Sequence, residues 1–401
     1  HNHHFMIMKK SFLLLACILM AYTYASSQNV GIGTTTPMAL LDVAGDALIH
    51  QITLGRGAGD VPTNTVYGVS SLGLNSTGIR NVAIGFSSMA HNSTGAFNVA
   101  SGGYSLFNNT SGSNNSAFGD DALSQNTSGS SNIGIGYGVL YNNTTGSANT
   151  ATGDRAIYSN TTGEHNTGIG YQALNFNTSG NDNTALGIWA GKNNTTGGRN
   201  TFIGNSADAA SGNLENATAI GSLAYVAASN ALVLGSINGI NGATENTNVG
   251  IGTTTPAARL DVAADILIHG ITIGRGHANI ADNTVIGYNG LALNSTGNRN
   301  VAIGYYSMGN NATGAFNVAN GAFTLFNNTT GDYNSAFGDD ALNHNTTGSS
   351  NTGIGRIALY NNTLGSANTG IGAEALFTNT TGEHNTAIGF QTLQYNTDGT
   401  D

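Results

Sequence analysis

The chain has 401 residues, of which 58 are Gly, 3 are Pro and only 8% carry a charge. An ordinary globular domain has about 25% charged residues, so Asn, Ser and Thr must supply most of the polar surface here. The formal net charge of -10 at pH 7 argues against a nucleic-acid partner, because binding to phosphates requires clustered Lys and Arg.

Residues 1–28 contain a predicted secretory signal peptide, preceded by a few upstream residues. Lys9 and Lys10 come before an apolar run at 12–21, and small residues follow at 25–27. This order is typical of an export signal, and the run is shorter than the roughly 20 residues of a membrane span. Cys17 also allows a lipoprotein cleavage site, which ranks second because the apolar run continues past it. We expect the mature chain to be exported, with no membrane span and no disulfide.

Residues 29–63 form the first linking segment, which is predicted to be β. The phrase Asn-Val-Gly-Ile-Gly-Thr-Thr-Thr-Pro starts at Asn29, and an alternating apolar stretch later ends in Gly-Arg-Gly at 55–57. Residues 248–282 repeat both features, with Asn248 in the place of Asn29. The chain is therefore one composite module that occurs twice.

Residues 64–215 form a first array of nine 17-residue repeats. In every repeat an Asn is followed four residues later by a Gly. The Asn positions are Asn64, Asn81, Asn98, Asn115, Asn132, Asn149, Asn166, Asn183 and Asn200. The Gly positions from the second repeat onward are Gly85, Gly102, Gly119, Gly136, Gly153, Gly170, Gly187 and Gly204.

Residues 216–247 contain two shorter, 14-residue repeats, which start at Asn216 and Asn230, and a linker. Residues 283–401 form a second array of seven 17-residue repeats that stops within a repeat, so we expect the chain to be part of a longer gene product. The Asn positions of this array are Asn283, Asn300, Asn317, Asn334, Asn351, Asn368 and Asn385.

Each repeat combines a short β-prone piece, a second apolar pair and a turn of Asn, Thr, Ser and Gly. Asn and Gly tolerate positive φ and close tight turns, and a Gly-rich turn in every repeat leaves no room for a helix. The pattern predicts an all-β, parallel β-solenoid with coils about 4.8 Å apart. We expect both large apolar residues of a coil, such as Ile169 and Leu174, to be buried. The small residues beside each Ile suggest a face that another backbone approaches, which would suit an oligomer.

The repeats beginning Asn-x-x-Ala-Ile-Gly, including the shorter pair at 216–235, resemble YadA-like head domains of trimeric autotransporter adhesins. The linking phrase resembles a module of large bacterial surface proteins and phage-tail-fibre-like proteins. Together the resemblance covers nearly all of residues 29–401. It implies a left-handed β-roll, a homotrimer, and binding to glycans, matrix or a host surface. The coils here are longer than is usual for that family, so we expect a longer outer turn in each.

Two pairs of motifs with acidic residues suggest a catalytic or a metal-binding site. Glu164-His165 and Glu383-His384 precede equivalent Asn positions, and no orienting partner or pocket accompanies them. We interpret them as exposed turn residues copied with the module. Asp120-Asp121 and Asp339-Asp340 are likewise equivalent; the alternative is that they form a ring of carboxylates for Ca²⁺ in a trimer. We assign no catalytic, cofactor-binding or metal-binding residue.

The stacked turns are the remaining candidate site, because equivalent residues should align in rows on the surface. Such rows suit hydrogen bonding to glycans or matrix, or matching of an ice lattice. We interpret the Asn-x-Ser and Asn-x-Thr triplets as residues that the turns require, and not as glycosylation sites. The candidate surface row consists of Asn92, Asn109, Asn126, Asn143, Asn160, Asn177 and Asn194.

The sequence thus predicts a secreted, non-catalytic bacterial cell-surface fibre or adhesin segment, which attaches to surfaces or serves as a projecting stalk. An ice-binding solenoid and a phage-tail-fibre-like receptor-binding protein are the alternatives. No cofactor is implied.

Overall fold

A computed structural model describes residues 29–400, and the predicted signal peptide lies outside them. The chain divides into two compact units, one ending at Thr247 and one beginning at Asn248. This division coincides with the predicted start of the second linking segment.

Unit 1 contains seventeen strands and a one-turn 3₁₀ segment, Ala58–Asp60. The strands are β1 (Val30–Ile32), β2 (Leu41–Val43), β3 (Ala47–Ile49), β4 (Ile52–Gly55), β5 (Thr65–Gly68), β6 (Val82–Ile84), β7 (Val99–Ser101), β8 (Ser116–Phe118), β9 (Ile133–Ile135), β10 (Thr150–Thr152), β11 (Thr167–Ile169), β12 (Thr184–Leu186), β13 (Thr201–Ile203), β14 (Asp208–Ala209), β15 (Thr218–Ile220), β16 (Tyr225–Val226) and β17 (Leu232–Leu234).

Unit 2 repeats this plan with eleven strands and the 3₁₀ segment His277–Asn279. The strands are β18 (Val249–Ile251), β19 (Leu260–Val262), β20 (Ile266–Ile268), β21 (Ile271–Gly274), β22 (Thr284–Gly287), β23 (Val301–Ile303), β24 (Val318–Asn320), β25 (Ser335–Phe337), β26 (Thr352–Ile354), β27 (Thr369–Ile371) and β28 (Thr386–Ile388).

In both units, one short strand per coil pairs in parallel with the strand of the next coil. Thr167 of β11 lies opposite Thr184 of β12, one 17-residue repeat later. Thr218 of β15 lies opposite Leu232 of β17, one 14-residue repeat later. The predicted all-β parallel solenoid with 17-residue coils is confirmed, and the change of period near residue 216 reflects one shorter coil.

An antiparallel hairpin covers the first coil of each array, which the sequence did not predict. Strands β3 and β4 pair antiparallel, and β4 pairs antiparallel with β5. The Asp46 carboxylate accepts hydrogen bonds from the backbone N–H groups of Arg56 (2.6 Å) and Gly57 (2.9 Å). Asp265 holds the second hairpin in the same way, through Arg275 and Gly276. The Gly-Arg-Gly phrase is thus a clamped turn that protects a sheet edge.

The interior of each coil is narrow, and in most coils it takes only one large apolar side chain. Leu174 is fully buried, whereas Ile169 is 39% exposed, so the prediction that both are buried is wrong. The reason is strand alternation: the central residue of the strand, Gly168 here and Ala in most coils, faces inward, and the residue after it faces outward. The core is therefore built from Ala, Leu and a large number of Asn side chains.

The Gly that follows each strand lets adjacent coils approach closely. Gly136 has φ 137°, and a Cβ there would lie 2.7 Å from the carbonyl oxygen of Gly153 in the next coil. The small residues beside each Ile therefore serve stacking within the chain. The backbone that approaches these small residues is that of the next coil.

Each full coil turns its corners with non-glycine residues in the left-handed region. In the coil that begins at Asn166, these are Gln172, Leu174 and Asp182, with φ of 54°, 49° and 58°. A left-handed residue with a side chain costs roughly 1–2 kcal/mol. The ladders of hydrogen bonds between coils must offset this cost, since the apolar core is small.

Candidate functional site

The Asn row predicted on the surface lies in the interior. All seven side chains from Asn92 to Asn194 are fully buried. Asn126 donates from Nδ2 to Oδ1 of Asn109 at 2.7 Å and to the carbonyl oxygen of Gly129 at 2.9 Å. Its own Oδ1 accepts from Asn143 at 2.7 Å. The row is a continuous chain of amides that joins successive coils, so it presents nothing to a glycan or an ice surface.

The Asn that begins each repeat forms a second interior row. Asn166 donates its backbone N–H to Oδ1 of Asn149 at 2.9 Å, and its Nδ2 to the carbonyl oxygen of Gly180 at 2.8 Å. Equivalent bonds recur in both arrays. Buried amides must find partners, and these two rows provide them at every coil. The recurrent Asn positions are therefore structural, and the buried Asn of the Asn-x-Ser/Thr triplets is inaccessible to modification in the folded chain.

In the first interior row (Asn92 to Asn194, here called the inner Asn row), the Thr that follows each Asn also forms hydrogen bonds within the solenoid. Thr144 donates its hydroxyl to the carbonyl oxygen of Thr161 at 2.9 Å, and Thr161 donates to Thr178 at 3.0 Å. These half-buried hydroxyls are committed to the next coil. Only the residue after this Thr, such as Thr145, stands exposed at the turn.

The Glu-His and Asp-Asp motifs lie at the surface of the solenoid. Glu164 and His165 are exposed, and His165 Nδ1 lies 3.7 Å from Asp182 Oδ1 in the next coil. Burial, and then the neighbouring Asp120 carboxylate, raise the pKa of Asp121. Among residues 29–400, no group of three or more His, Cys, Asp or Glu is placed to hold a metal ion. The Asp pairs are thus adjacent carboxylates on an open face.

The outer face of the parallel sheet carries a row of exposed apolar side chains. It comes from the third residue of the strands that stack in parallel from coil to coil; in unit 1, Ser101 and Thr152 are polar at this position and Ile203 is only partly exposed. Unit 1 exposes Tyr67, Ile84, Phe118, Ile135, Ile169, Leu186, Ile220 and Leu234, and unit 2 exposes Ile286, Phe337, Ile354 and Ile388. We call these two sets the outer apolar row.

Stacked aromatic rings form a further surface feature that the sequence reading missed. The rings of Tyr141 and Tyr158 are stacked and nearly parallel, with ring centroids 5.2 Å apart. Beside them lies a cavity of about 130 Å³. Aromatic residues that recur at the same repeat position, one period apart, were the available signal. The residues lining the cavity are Asp121, Tyr137, Gly138, Tyr141, Arg155 and Tyr158.

Unit 2 has a larger group of rings on its first three coils, which begin at Asn283, Asn300 and Asn317. Tyr288 stacks on Tyr305 at 5.4 Å, and Tyr306 stacks on Phe323 at 5.8 Å. Phe326 packs edge-on against both Tyr306 and Phe323. Rings thus bridge coils on this face in both units.

No segment of residues 29–400 forms a helix with the length and hydropathy of a membrane span. Comparison of the chain with protein-family models gives no match, and comparison with curated proteins finds no similar sequence. What the molecule does must therefore be argued from its own surfaces.

Proposed function

We propose that the chain is a non-catalytic segment of a secreted bacterial surface fibre, which assembles as a homotrimer and attaches to surfaces, glycans or matrix. The observation that carries this proposal is the outer apolar row. A monomer leaves it in water, whereas three chains facing a common axis would cover it.

The outer apolar row repeats from strand to strand. Phe118 and Ile135 are 42% and 46% exposed on neighbouring strands, and neighbouring strands lie about 4.8 Å apart. Contiguous apolar surface of this kind is typical of an interaction site. Because coils stack with constant register, equivalent side chains from three copies would meet at every level.

The resemblance to YadA-like adhesin heads supports the same assembly and adds the attachment role. A β-solenoid is also well suited to a projecting stalk, because each added coil lengthens it. In that version the segment holds a binding tip away from the cell and itself binds nothing.

Ice binding is less well supported by the arrangement of hydroxyls. The most regular Thr row donates to backbone carbonyl oxygens of the next coil, so these groups are not free to order water. The exposed turn position varies, with Ser128, Thr145 and Leu364 among its residues.

Light scattering coupled to size exclusion on residues 29–401 tests the assembly. We expect the mass of three chains together with a β-type circular dichroism spectrum. A folded monomer would refute the trimer. Binding of labelled protein to wells coated with glycans or with extracellular matrix tests attachment, and a trimer that binds neither would leave the stalk version.

A further inference from the structure

We propose that the cavity beside the Tyr141–Tyr158 stack binds one neutral pyranose ring of a glycan. This inference rests on the proposed attachment function and names the ligand class that one site would take.

Three successive coils build the site. Asp121 comes from the first, Tyr137, Gly138 and Tyr141 from the second, and Arg155 and Tyr158 from the third. Because the coils are held in register by the interior Asn rows, these side chains are fixed relative to one another. The site is therefore formed before any ligand arrives, which lowers the entropy cost of binding.

The aromatic stack supplies a surface that matches a sugar ring. The planes of Tyr141 and Tyr158 differ by only 8°, so the two rings are parallel where they line the groove. The faces of aromatic rings are electron-rich, and the axial C–H groups of a pyranose carry partial positive charge. A pyranose can therefore pack against the rings with its C–H face while its hydroxyls point toward the polar lining.

The polar groups at the cavity complement hydroxyls. The Arg155 guanidinium offers only donors, and the Asp121 carboxylate offers only acceptors when ionised. A sugar hydroxyl both donates and accepts, so adjacent hydroxyls of one ring satisfy both residues. Arg155 also lies over the Tyr137 ring, with its Cζ 5.8 Å from the ring centroid, which restrains its position.

Charge favours a neutral ligand over an acidic one. Arg155 Nε lies 3.9 Å from Asp154 Oδ1. Asp121 lines the cavity, and Asp120 precedes it in the chain. The three carboxylates outnumber the single guanidinium, and the whole chain has a net charge of -10. A uronic or sialic acid would be repelled.

The volume limits the ligand to a single sugar ring. At about 130 Å³, the cavity is smaller than the roughly 300–1,000 Å³ of sites for drug-sized ligands. A terminal or branching pyranose fits this size, and a buried oligosaccharide does not.

Unit 2 provides a natural control at the equivalent positions. Tyr360 and Phe377 retain the stack at 5.5 Å. Ile357, however, stands where unit 1 has Gly138, and Glu374 replaces Arg155. Gly138 has φ 57° and Ile357 has φ 49°, so the backbone that holds Gly138 also accepts Ile. Gly138→Ile should therefore fill the cavity without unfolding the coil.

Saturation-transfer NMR on the full chain with the methyl β-pyranosides of glucose, galactose and mannose tests the proposal. We expect transfer to at least one of them, and an affinity at least about tenfold weaker in Gly138→Ile and in Tyr158→Ala. Phe377→Ala in unit 2, at the position equivalent to Tyr158, is the matched control and should bind as the unchanged protein does. Circular dichroism confirms that each variant is folded.

Absence of transfer to all three pyranosides would overturn the proposal, as would equal transfer in Gly138→Ile. Tighter binding of methyl β-glucuronide than of the neutral pyranosides would overturn the charge argument. If the protein attaches to coated wells but binds no pyranoside, this site is refuted and the attachment function stands. If the protein binds a pyranoside but attaches to no coated well, this site stands and the attachment function is refuted.

Discussion

Phe202 fills the interior space that Gly191 leaves open in the preceding coil. The earlier coils of the first array place Leu, Met or Ile at the position of Gly191, as at Leu174. Phe202 is fully buried, where most coils have Ala or Gly. A Cβ at residue 191 would lie 2.5 Å from Cδ2 of Phe202. One coil loses a large side chain and the next gains one, so the core volume is conserved.

This pair predicts a compensating double substitution. Phe202→Ala should create a cavity and lower the free energy of unfolding by about 3–5 kcal/mol. Adding Gly191→Leu should restore most of the lost free energy of unfolding. Leu174 shows that a Leu is accepted at this repeat position, where its φ is 49°. Hydrogen exchange of the amides in β12 and β13 would measure both effects. Equal exchange rates in the single and double variants would contradict the volume argument.

Interruption of the inner Asn row should lower the free energy of unfolding substantially. Asn126→Ala removes two donor bonds and leaves the Asn109 oxygen without its donor. We expect a loss of about 2–5 kcal/mol in unfolding free energy. Asn205→Ala, at an exposed position, should change it by less than about 0.5 kcal/mol. Denaturant unfolding of both variants is the measurement, and equal midpoints would show that the row contributes little.

The Gly that follows each strand should not tolerate a side chain. Gly136→Ala places a Cβ against the next coil at 2.7 Å and fixes an alanine at φ 137°. A destabilisation of about 2–5 kcal/mol is expected. Gly45→Ala meets no atom within 4 Å and serves as control. Thermal unfolding should separate the two variants clearly, and a similar Tm for both would be contrary to the stacking argument.

Asp208 should make unit 1 less stable at neutral pH. Burial raises the pKa of Asp208 to about 6, although the backbone N–H groups of Asn193 and Ala209 donate to it. The protonated form thus stabilises the fold fully below the unfolded pKa of about 3.9. That contribution is lost as the pH rises through about 6.

Asp208→Asn should therefore raise the unfolding free energy at pH 7 by up to about 3 kcal/mol, and by little near pH 4. The amide oxygen of Asn keeps an acceptor for the same backbone groups. Urea unfolding of both proteins across this range measures the difference. A difference that does not grow with pH would refute the assignment.

The outer apolar row should control assembly and not coil stability. Phe118→Lys together with Ile135→Lys places like charges at the proposed trimer interface, and we expect the mass in solution to fall to that of one chain. Thr145→Lys, at an exposed turn, should leave the mass unchanged. A double variant that keeps the mass of three chains would locate the interface elsewhere.

The period and the strand positions could be predicted from the sequence, because one Asn and one Gly mark every coil. Which large side chain faces inward could not, because Ile169 and Leu174 look equally apolar in sequence. Only the alternation of a three-residue strand and the left-handed corner at Leu174 decide it. The hairpin held by Asp46 was also missed, since its clamp joins residues ten and eleven positions apart.

The candidate site was less predictable than the fold. Residues of the Asn92 type are usual at exposed turns, and nothing local indicated that each would bond to its counterpart one coil away. The Tyr141–Tyr158 stack is likewise a relation between coils. Contacts of this kind become visible only when the sequence is aligned on its own period.

The paired interior amide rows also determine how the length of such a molecule can change. Insertion or deletion of one whole repeat leaves every Asn opposite another Asn, whereas any other change in length interrupts both rows at once. The inner row in unit 1 ends at Asn194, before the shorter coil that joins β15 to β17. Recombination between 17-residue repeats in the gene would therefore change the length of the molecule in steps of one coil, each about 4.8 Å longer or shorter.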